Sequence, residues 1–212
     1  MKKLFIIAAF VAAFFVTEKA QAQLNINVGY APELMITKTP THDTTLFFHG
    51  LSFGLNWDFN LSNNLNLTTG IQYRMNMRDH SEHVYQGSYF VHHVTRDQQK
   101  LIDLPILLKY KMALGSSVTL SPFVGPMFSW GINGKTTDQW LYPIDTETHY
   151  EWYGDDGYMN RFNVYGMAGF EVGFKRFAIS IGGHYGFLDL NKRNTGTTTK
   201  VYGFFANFGY TF

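Results

Sequence analysis

The chain has no cysteine. That excludes disulfides, thiolate nucleophiles, Cys-ligated metals and a lipid anchor on an N-terminal cysteine. Charge is scarce as well. Asp, Glu, Lys and Arg make up 16% of the residues, against ~25% in soluble domains. Beyond the first twenty residues, no apolar run approaches the ~20 residues that a spanning helix needs. Aromatic residues, by contrast, reach 17%, and there are 20 glycines.

The N-terminus has the pattern of an export signal. Met1-Lys2-Lys3 is positive, residues 4–16 are an apolar run, and Ala20-Gln21-Ala22 fits a small-x-small cleavage site. Glu18-Lys19 ends the run too early for a membrane anchor. Residues 1–22 are therefore expected to be a signal peptide and 23–212 one mature domain. The mature part carries 14 basic and 15 acidic residues, net −1, so bulk charge points to no nucleic-acid partner.

Along the mature chain the hydrophobic period is two. Leu24, Ile26, Val28 and Tyr30 alternate with Asn25, Asn27 and Gly29. The same alternation marks strands through 47–61, 65–77, 102–112, 118–132, 162–174, 177–187 and 201–212. In the last, Tyr202, Phe204, Ala206, Phe208, Tyr210 and Phe212 share a face opposite Gly203, Asn207, Gly209 and Thr211, with Phe205 the large exception. Short turns follow strands two, four and six. Longer links span 32–45, 78–99, 133–160 and 189–200. This is the asymmetry of an outer-membrane barrel, with periplasmic turns, extracellular loops and, for an even strand number, both termini periplasmic.

The expected fold is all-β, an eight-stranded antiparallel up-and-down transmembrane β-barrel. A soluble eight-stranded barrel alternates too, but its interior is only wide enough for side chains or one small ligand. The bulky apolar faces of this chain would not fit there, whereas the Gly, Ser, Asn and Thr of the other face would. Trp57, Tyr110, Trp130, Tyr202 and Tyr210 are expected at the membrane interfaces, with Tyr210 and Phe212 as the terminal-strand assembly signal. Pro105, Pro122 and Pro126 lie inside strands and predict bulges. Lys175-Arg176 makes a poor hairpin turn.

Ile102-Asp103-Leu104-Pro105-Ile106-Leu107-Leu108-Lys109-Tyr110-Lys111 resembles the x-x-I/L-P-x-L-L-K-Y strand of the PorT-like small outer-membrane β-barrel family. Pro122-Phe123-Val124-Gly125-Pro126 resembles the Gly-x-Gly-Pro strand that follows it, with Val124 in place of a small residue. The ending Gly209-Tyr210-Thr211-Phe212 resembles the family's terminal strand. The resemblance implies an outer-membrane barrel of about eight strands and brings no catalytic residues. The family's namesake is tied to a protein-secretion machine.

Several residue sets could carry chemistry. Asp58, Arg74, Asp103, Lys109, Lys111, Glu171 and His184 are expected inside the barrel, as a paired plug or as the lining of a narrow polar path. Ser180 and His184 share a face but stand roughly 13 Å apart at ~3.3 Å per residue, beyond the hydrogen bond that a lipid-modifying serine enzyme needs. His80, His83, His92 and His93 cluster in the second loop, a residue type that can bind transition metals, without a ligand-spacing motif. The third loop interleaves Trp140, Tyr142, Tyr150, Trp152, Tyr153 and Tyr158 with six carboxylates and a single lysine. Such a surface suits sugars or proteins, or else its rings pack at the membrane or on the loop itself.

The expected function is a structural or binding role in the outer membrane, through extracellular loops or as a subunit of an envelope assembly, which for this family extends to protein secretion. The alternatives are a narrow solute pore and, third, a lipid-modifying enzyme. No enzyme activity, cofactor or metal is expected. The expected partners are outer-membrane lipid, the barrel-assembly machinery during insertion, and an envelope protein or glycan at the loops.

Overall fold

The computed structural model describes residues 23–86, 89–141, 145–193 and 196–212. The expected signal peptide and Tyr142 lie outside these residues. The described chain forms eleven strand segments: β1 (Gln23–Tyr30), β2 (Glu33–Lys38), β3 (Asp43–Asn60), β4 (Leu65–Gln86), β5 (Tyr89–Tyr110), β6 (Met112–Ala113), β7 (Val118–Leu141), β8 (Thr146–Glu151), β9 (Phe162–Phe174), β10 (Phe177–Gly186) and β11 (Thr198–Thr211). Among the described residues no helix is long and apolar enough to cross a membrane, and every regular element is a β-strand.

These segments close into a barrel of eight staves. Neighbours pair in the order β1, β11, β10, β9, β7, β5, β4, β3, β2, and β3 and β11 each pair with both β1 and β2. β1 and β2 are two halves of one stave. The pair Tyr30↔Leu51 on one side of the break and Glu33↔Phe48 on the other keep one register with β3. Tyr30↔Ala206 and Glu33↔Gly203 do the same with β11. Pro32 has no N–H to give the ladder, but its carbonyl accepts from Phe204 N at 3.1 Å and Ala31 N donates to Gly50 O at 2.8 Å. The proline removes one donor and leaves the strand running.

For that reason the first long link is not a loop of residues 32–45. Only residues 39–42 separate β2 from β3. The second is not a free loop either, because β4 and β5 stay paired from Arg78↔Asp97 to Gln86↔Tyr89. In the third, β7 runs on to Leu141, and β8 folds back against it from Lys135↔Glu151 to Trp140↔Thr146. The expected bulges at the prolines are absent. Register is unshifted across Pro122 and Pro126, and it resumes unshifted on either side of Pro105. The one shift falls between Lys100 and Leu101, where Ile132 of β7 is the extra residue. Lys175-Arg176 is the β9–β10 turn, with Lys175 held at φ 54°.

The outward face is apolar. Phe53, Ile71, Leu104, Val124, Phe170, Ile179, Phe204 and Phe208 are all exposed, as a lipid-facing wall requires. Trp57, Tyr110 and Tyr210 stand near the turn end and Trp130 and Tyr202 nearer the loop end. Inward positions include Asn25, Ser52, Thr68, Ser121 and Ser129, all buried. The lumen also holds rings and thioethers that the small-residue pattern did not suggest. Phe48, Leu107, Phe123, Met127, Tyr165, Met167 and Phe205 form a buried cluster inside the barrel. Phe205, the exception in the terminal strand, stacks on Phe123 at 6.1 Å and on His184 at 6.4 Å.

Candidate functional site

The interior is stacked in levels between the turn end and the loop end. Lowest is a cluster around Lys109 of β5. Its Nζ lies 2.9 Å from Glu171 of β9 and 3.5 Å from Asp58 of β3, and Asp58 also accepts from the Thr68 hydroxyl. Lys109 is buried, so one cation shared by two carboxylates is the arrangement that avoids an unpaired buried charge. Lys111 departs from the expected interior set. It is exposed at the rim of the turn-end mouth, where it lines a cavity of about 310 Å³ with Lys175 and Arg176.

At mid-height stands Arg74 of β4, 2% exposed. Its Nε donates to Asp103 Oδ2 at 2.8 Å and its Nη2 to Asp103 Oδ1 at 3.3 Å, a bidentate fork. Its Nη1 donates to Glu33 of β2. His184 Nε2 lies 2.8 Å from the same Glu33 oxygen. Asn76 donates to Glu33 and, at 3.0 Å, to Gln99. Gln99 in turn donates to the Tyr153 hydroxyl at 2.6 Å. The guanidinium also sits 5.5 Å from the centre of the Tyr165 ring. Only about 20 Å³ of open space remains among Arg74, Asp103, Met127, Met167, His184 and Phe205, room for about one water.

His184 fits because Gly203 faces it across the wall. A Cβ at Gly203 would come 2.2 Å from His184 Nε2. Ser180 makes no hydrogen bond to His184, whose Nε2 is committed to Glu33. The expected interior set thus divides into a pair of clusters, Lys109–Asp58–Glu171 and Arg74–Asp103–His184. Its missing member was Glu33. Pro32 reads as the end of strand one, which puts Glu33 in a loop; the inward parity shared by residues 25, 27, 29, 31 and 33 is the signal that places it inside.

Above Arg74 the third loop turns inward, and its aromatic residues do not form a single surface. Trp152 and Tyr153 are buried, 2% and 7% exposed. Trp152 N bonds to Gly134 O at 2.8 Å, Met159 N to Trp152 O at 2.9 Å and Asn160 N to Leu190 O at 2.8 Å. The Trp152 indole donates to Thr136 at 2.8 Å and meets Phe48 edge-on at 5.9 Å. Gly131 leaves space for Tyr153, whose ring would be 2.3 Å from a Cβ there. Trp140 stacks on His93 at 4.0 Å. Of the described members, Tyr150 alone is an exposed large ring, at 51%.

The result is a vestibule of about 560 Å³ at the loop end, floored by Trp152 and Met159. Met35 and Leu46 add apolar wall. Thr37, Thr95, Thr136, Thr197 and Thr199 add hydroxyls. Arg78 pairs with Asp97 at 2.6 Å, and Asp97 also accepts from Thr136 at 2.6 Å. Tyr158 is half-buried here, and burial pushes its phenol up to about 12, so it stays neutral across ordinary pH. On the same face His93 bridges Glu82 at 3.3 Å and Asp138 at 3.5 Å. Among the described residues no three His, Asp or Glu side chains gather as a metal site. A cavity with an apolar floor and a few convergent polar groups is the usual form of a ligand site.

At the other end, Tyr210 accepts from Arg176 Nη1 at 3.2 Å. Phe212, 66% exposed, bonds through its N to Leu24 O at 3.0 Å. These contacts tie the last residues to the turn-end rim.

A family model described as "Outer membrane protein beta-barrel domain" matches residues 21–192. None of the curated proteins matches the chain. Among solved structures, the attachment invasion locus protein Ail of Yersinia pestis, crystallised with the heparin analogue sucrose octasulfate, is 14% identical with a TM-score of 0.44, over 90% of this chain and 99% of that one. The outer membrane protease OmpT of Escherichia coli is 11% identical with a TM-score of 0.46, over 93% and 99%. Neisserial surface protein A is 12% identical with a TM-score of 0.40, over 90% and 99%.

Proposed function

Since this chain belongs to the outer membrane protein beta-barrel domain family, we propose that it is a plugged outer-membrane barrel that binds an extracellular protein or glycan through its loop-end vestibule. One observation carries the reading: a cavity of about 560 Å³ stands over a lumen with only about 20 Å³ open at mid-height. A cavity that opens at one end above a closed floor is a receptacle. A solute path would need continuous polar space, and the Arg74 cluster with Met127, Met167 and Phe205 occupies that level.

The reading is of a binding protein, not an enzyme, inserted through the barrel-assembly machinery after removal of residues 1–22. Both termini lie on the periplasmic side. It sits in the PorT-like branch, where an envelope or secretion assembly would supply the partner. The strand-four motif supports this branch: Leu107 and Lys109 point inward and are buried, while Leu104, Ile106 and Leu108 face lipid.

The test is photo-crosslinking in the native outer membrane. A photoreactive residue at Thr197, in the vestibule, is compared with one at Lys111, at the turn-end rim, followed by mild-detergent purification and mass analysis. A discrete adduct from Thr197 is the expected result. Adducts from Lys111 alone would move the binding face to the opposite end and end the vestibule reading.

A further inference from the structure

The β3–β4 ladder stops short of the loop end. β3 and β4 pair from Asn60↔Asn66 up to His49↔Met77 and no further. Above that level residues 43–48 of β3 pair with β2 alone, and residues 78–82 of β4 pair with β5 alone. Among the described residues, each therefore presents to the other a strand edge with no ladder partner. Both edges border the vestibule, because Leu46 of β3 and Arg78 of β4 line the same cavity. They also stand clear of the lipid-facing band. Asp43, Thr44 and Thr45 on one edge and Asp79 and His80 on the other are exposed and polar. In lipid such edges would be costly, whereas in water they remain ready to pair.

We propose that this gap accepts an extended segment of a partner protein, added as an extra strand between β3 and β4 with every second side chain entering the vestibule. The inference rests on the vestibule reading and gives the partner a chemistry. An unused strand edge offers donors and acceptors at strand spacing, which a polypeptide backbone matches and a glycan does not. The side chains of such a strand alternate between cavity and water. Those entering would meet Met35, Leu46, Trp152 and Met159, so the segment should be apolar at every second position.

A second copy does not fit this role. Two copies inserted the same way up are related by an axis along the membrane normal. Their β4 edges then run in the same sense and, with strands tilted ~40°, cross at a wide angle. Among the described residues β8 has no partner on its outer edge either, but its side chains are all exposed and none of them lines the vestibule.

The experiment uses the mature protein in nanodiscs and a fluorescent decapeptide of alternating leucine and lysine, read by anisotropy. A twin peptide carries N-methyl groups at alternate residues, which keeps every side chain and removes the backbone donors of one edge. We expect saturable binding of the first peptide and at least tenfold weaker binding of the twin. Proline at Ser81 or at Glu82, adjacent positions whose N–H groups point to opposite sides, should weaken binding at least tenfold in one of the two variants, while His149→Pro in β8 leaves it unchanged. Equal affinity for the twins, loss of binding on His149→Pro, or no binding of the first peptide would overturn the strand proposal. Thr197→Trp, which fills the vestibule, separates the two readings. If it abolishes binding of both twins equally, the vestibule reading stands and strand addition fails. If binding persists in Thr197→Trp, both fail.

Discussion

Removing the guanidinium at Arg74 is the sharpest test of the closed lumen. Arg74→Met keeps much of the side-chain volume and takes away the guanidinium, the only Lys or Arg group bonded to Glu33 and Asp103 among the described residues. Both carboxylates are buried, 3% and 1% exposed, so neither can turn to water. Breaking one partner out of a buried ion pair costs about 3–5 kcal/mol, because a charge is left without compensation. Two stranded carboxylates put the expected loss at the upper part of that range, about 4 kcal/mol or more, roughly a thousandfold in the folding equilibrium. Replacing the whole set, Glu33→Gln with Arg74→Met and Asp103→Asn, removes the stranded charges and should recover more than half of it. Urea unfolding in phosphocholine vesicles, followed by tryptophan fluorescence, measures both variants. If Arg74→Met loses less than about 1 kcal/mol, or the triple variant is no better than the single one, the cluster is not the buried, dry lock described above.

Gly203→Ala should cost about 1–3 kcal/mol in the same assay, since the new methyl group would meet the His184 ring, whereas Gly115→Ala, with nothing within 4 Å of its Cβ, should change little. Trp152→Ala should cost about 3–5 kcal/mol through the lost Phe48 and Thr136 contacts, and should leave the bilayer silent because the Arg74 level stays closed. The wild-type protein in planar bilayers should give no single-channel currents that scale with salt; such currents would refute the plug. Lys175→Gly should stabilise by up to about 1 kcal/mol, by relieving the left-handed φ of the β9–β10 turn, and an unchanged or lower midpoint would show that the turn is not strained.

Strand alternation located all eight staves, because a wall with lipid on one side and a narrow lumen on the other forces a period of two with opposite chemistry on its faces. What it misjudged were the ends of strands. Pro32 reads as a stop and so puts Glu33 in a loop, yet at this position a missing N–H costs one ladder bond and the register passes through. Above the lipid polar residues stand on both faces of β4, β5 and β7, the alternation fades, and residues 78–86 and 89–99 look like loop although they are paired. The interior charges were legible as single residues, since a charge inside a barrel strand has nowhere else to go. Their division into clusters was not, because partners such as Arg74 and Glu33 lie 41 positions apart in the chain. The third loop's rings were visible as a group, but Gly131 and Gly134, which make room for Tyr153 and Trp152, signal inward packing only once the wall is built.

The closed circle of staves also has a consequence for how the chain folds. Every neighbouring pair but one is joined by a hairpin and can form as soon as its two strands exist. The exception is the seam of β11 with β1 and β2, where Asn25 bonds to Thr211 across 186 residues and Thr37 to Thr199 across 162. Contacts so distant in sequence are the slow step of a folding reaction, because the intervening chain must be ordered before they form. Until β11 arrives, the growing sheet carries two raw edges that lipid does not tolerate. The chain must therefore be shielded from lipid until β11 closes the seam, and a chain without β11 would be an open sheet, unable to insert, even though seven of its eight staves were complete.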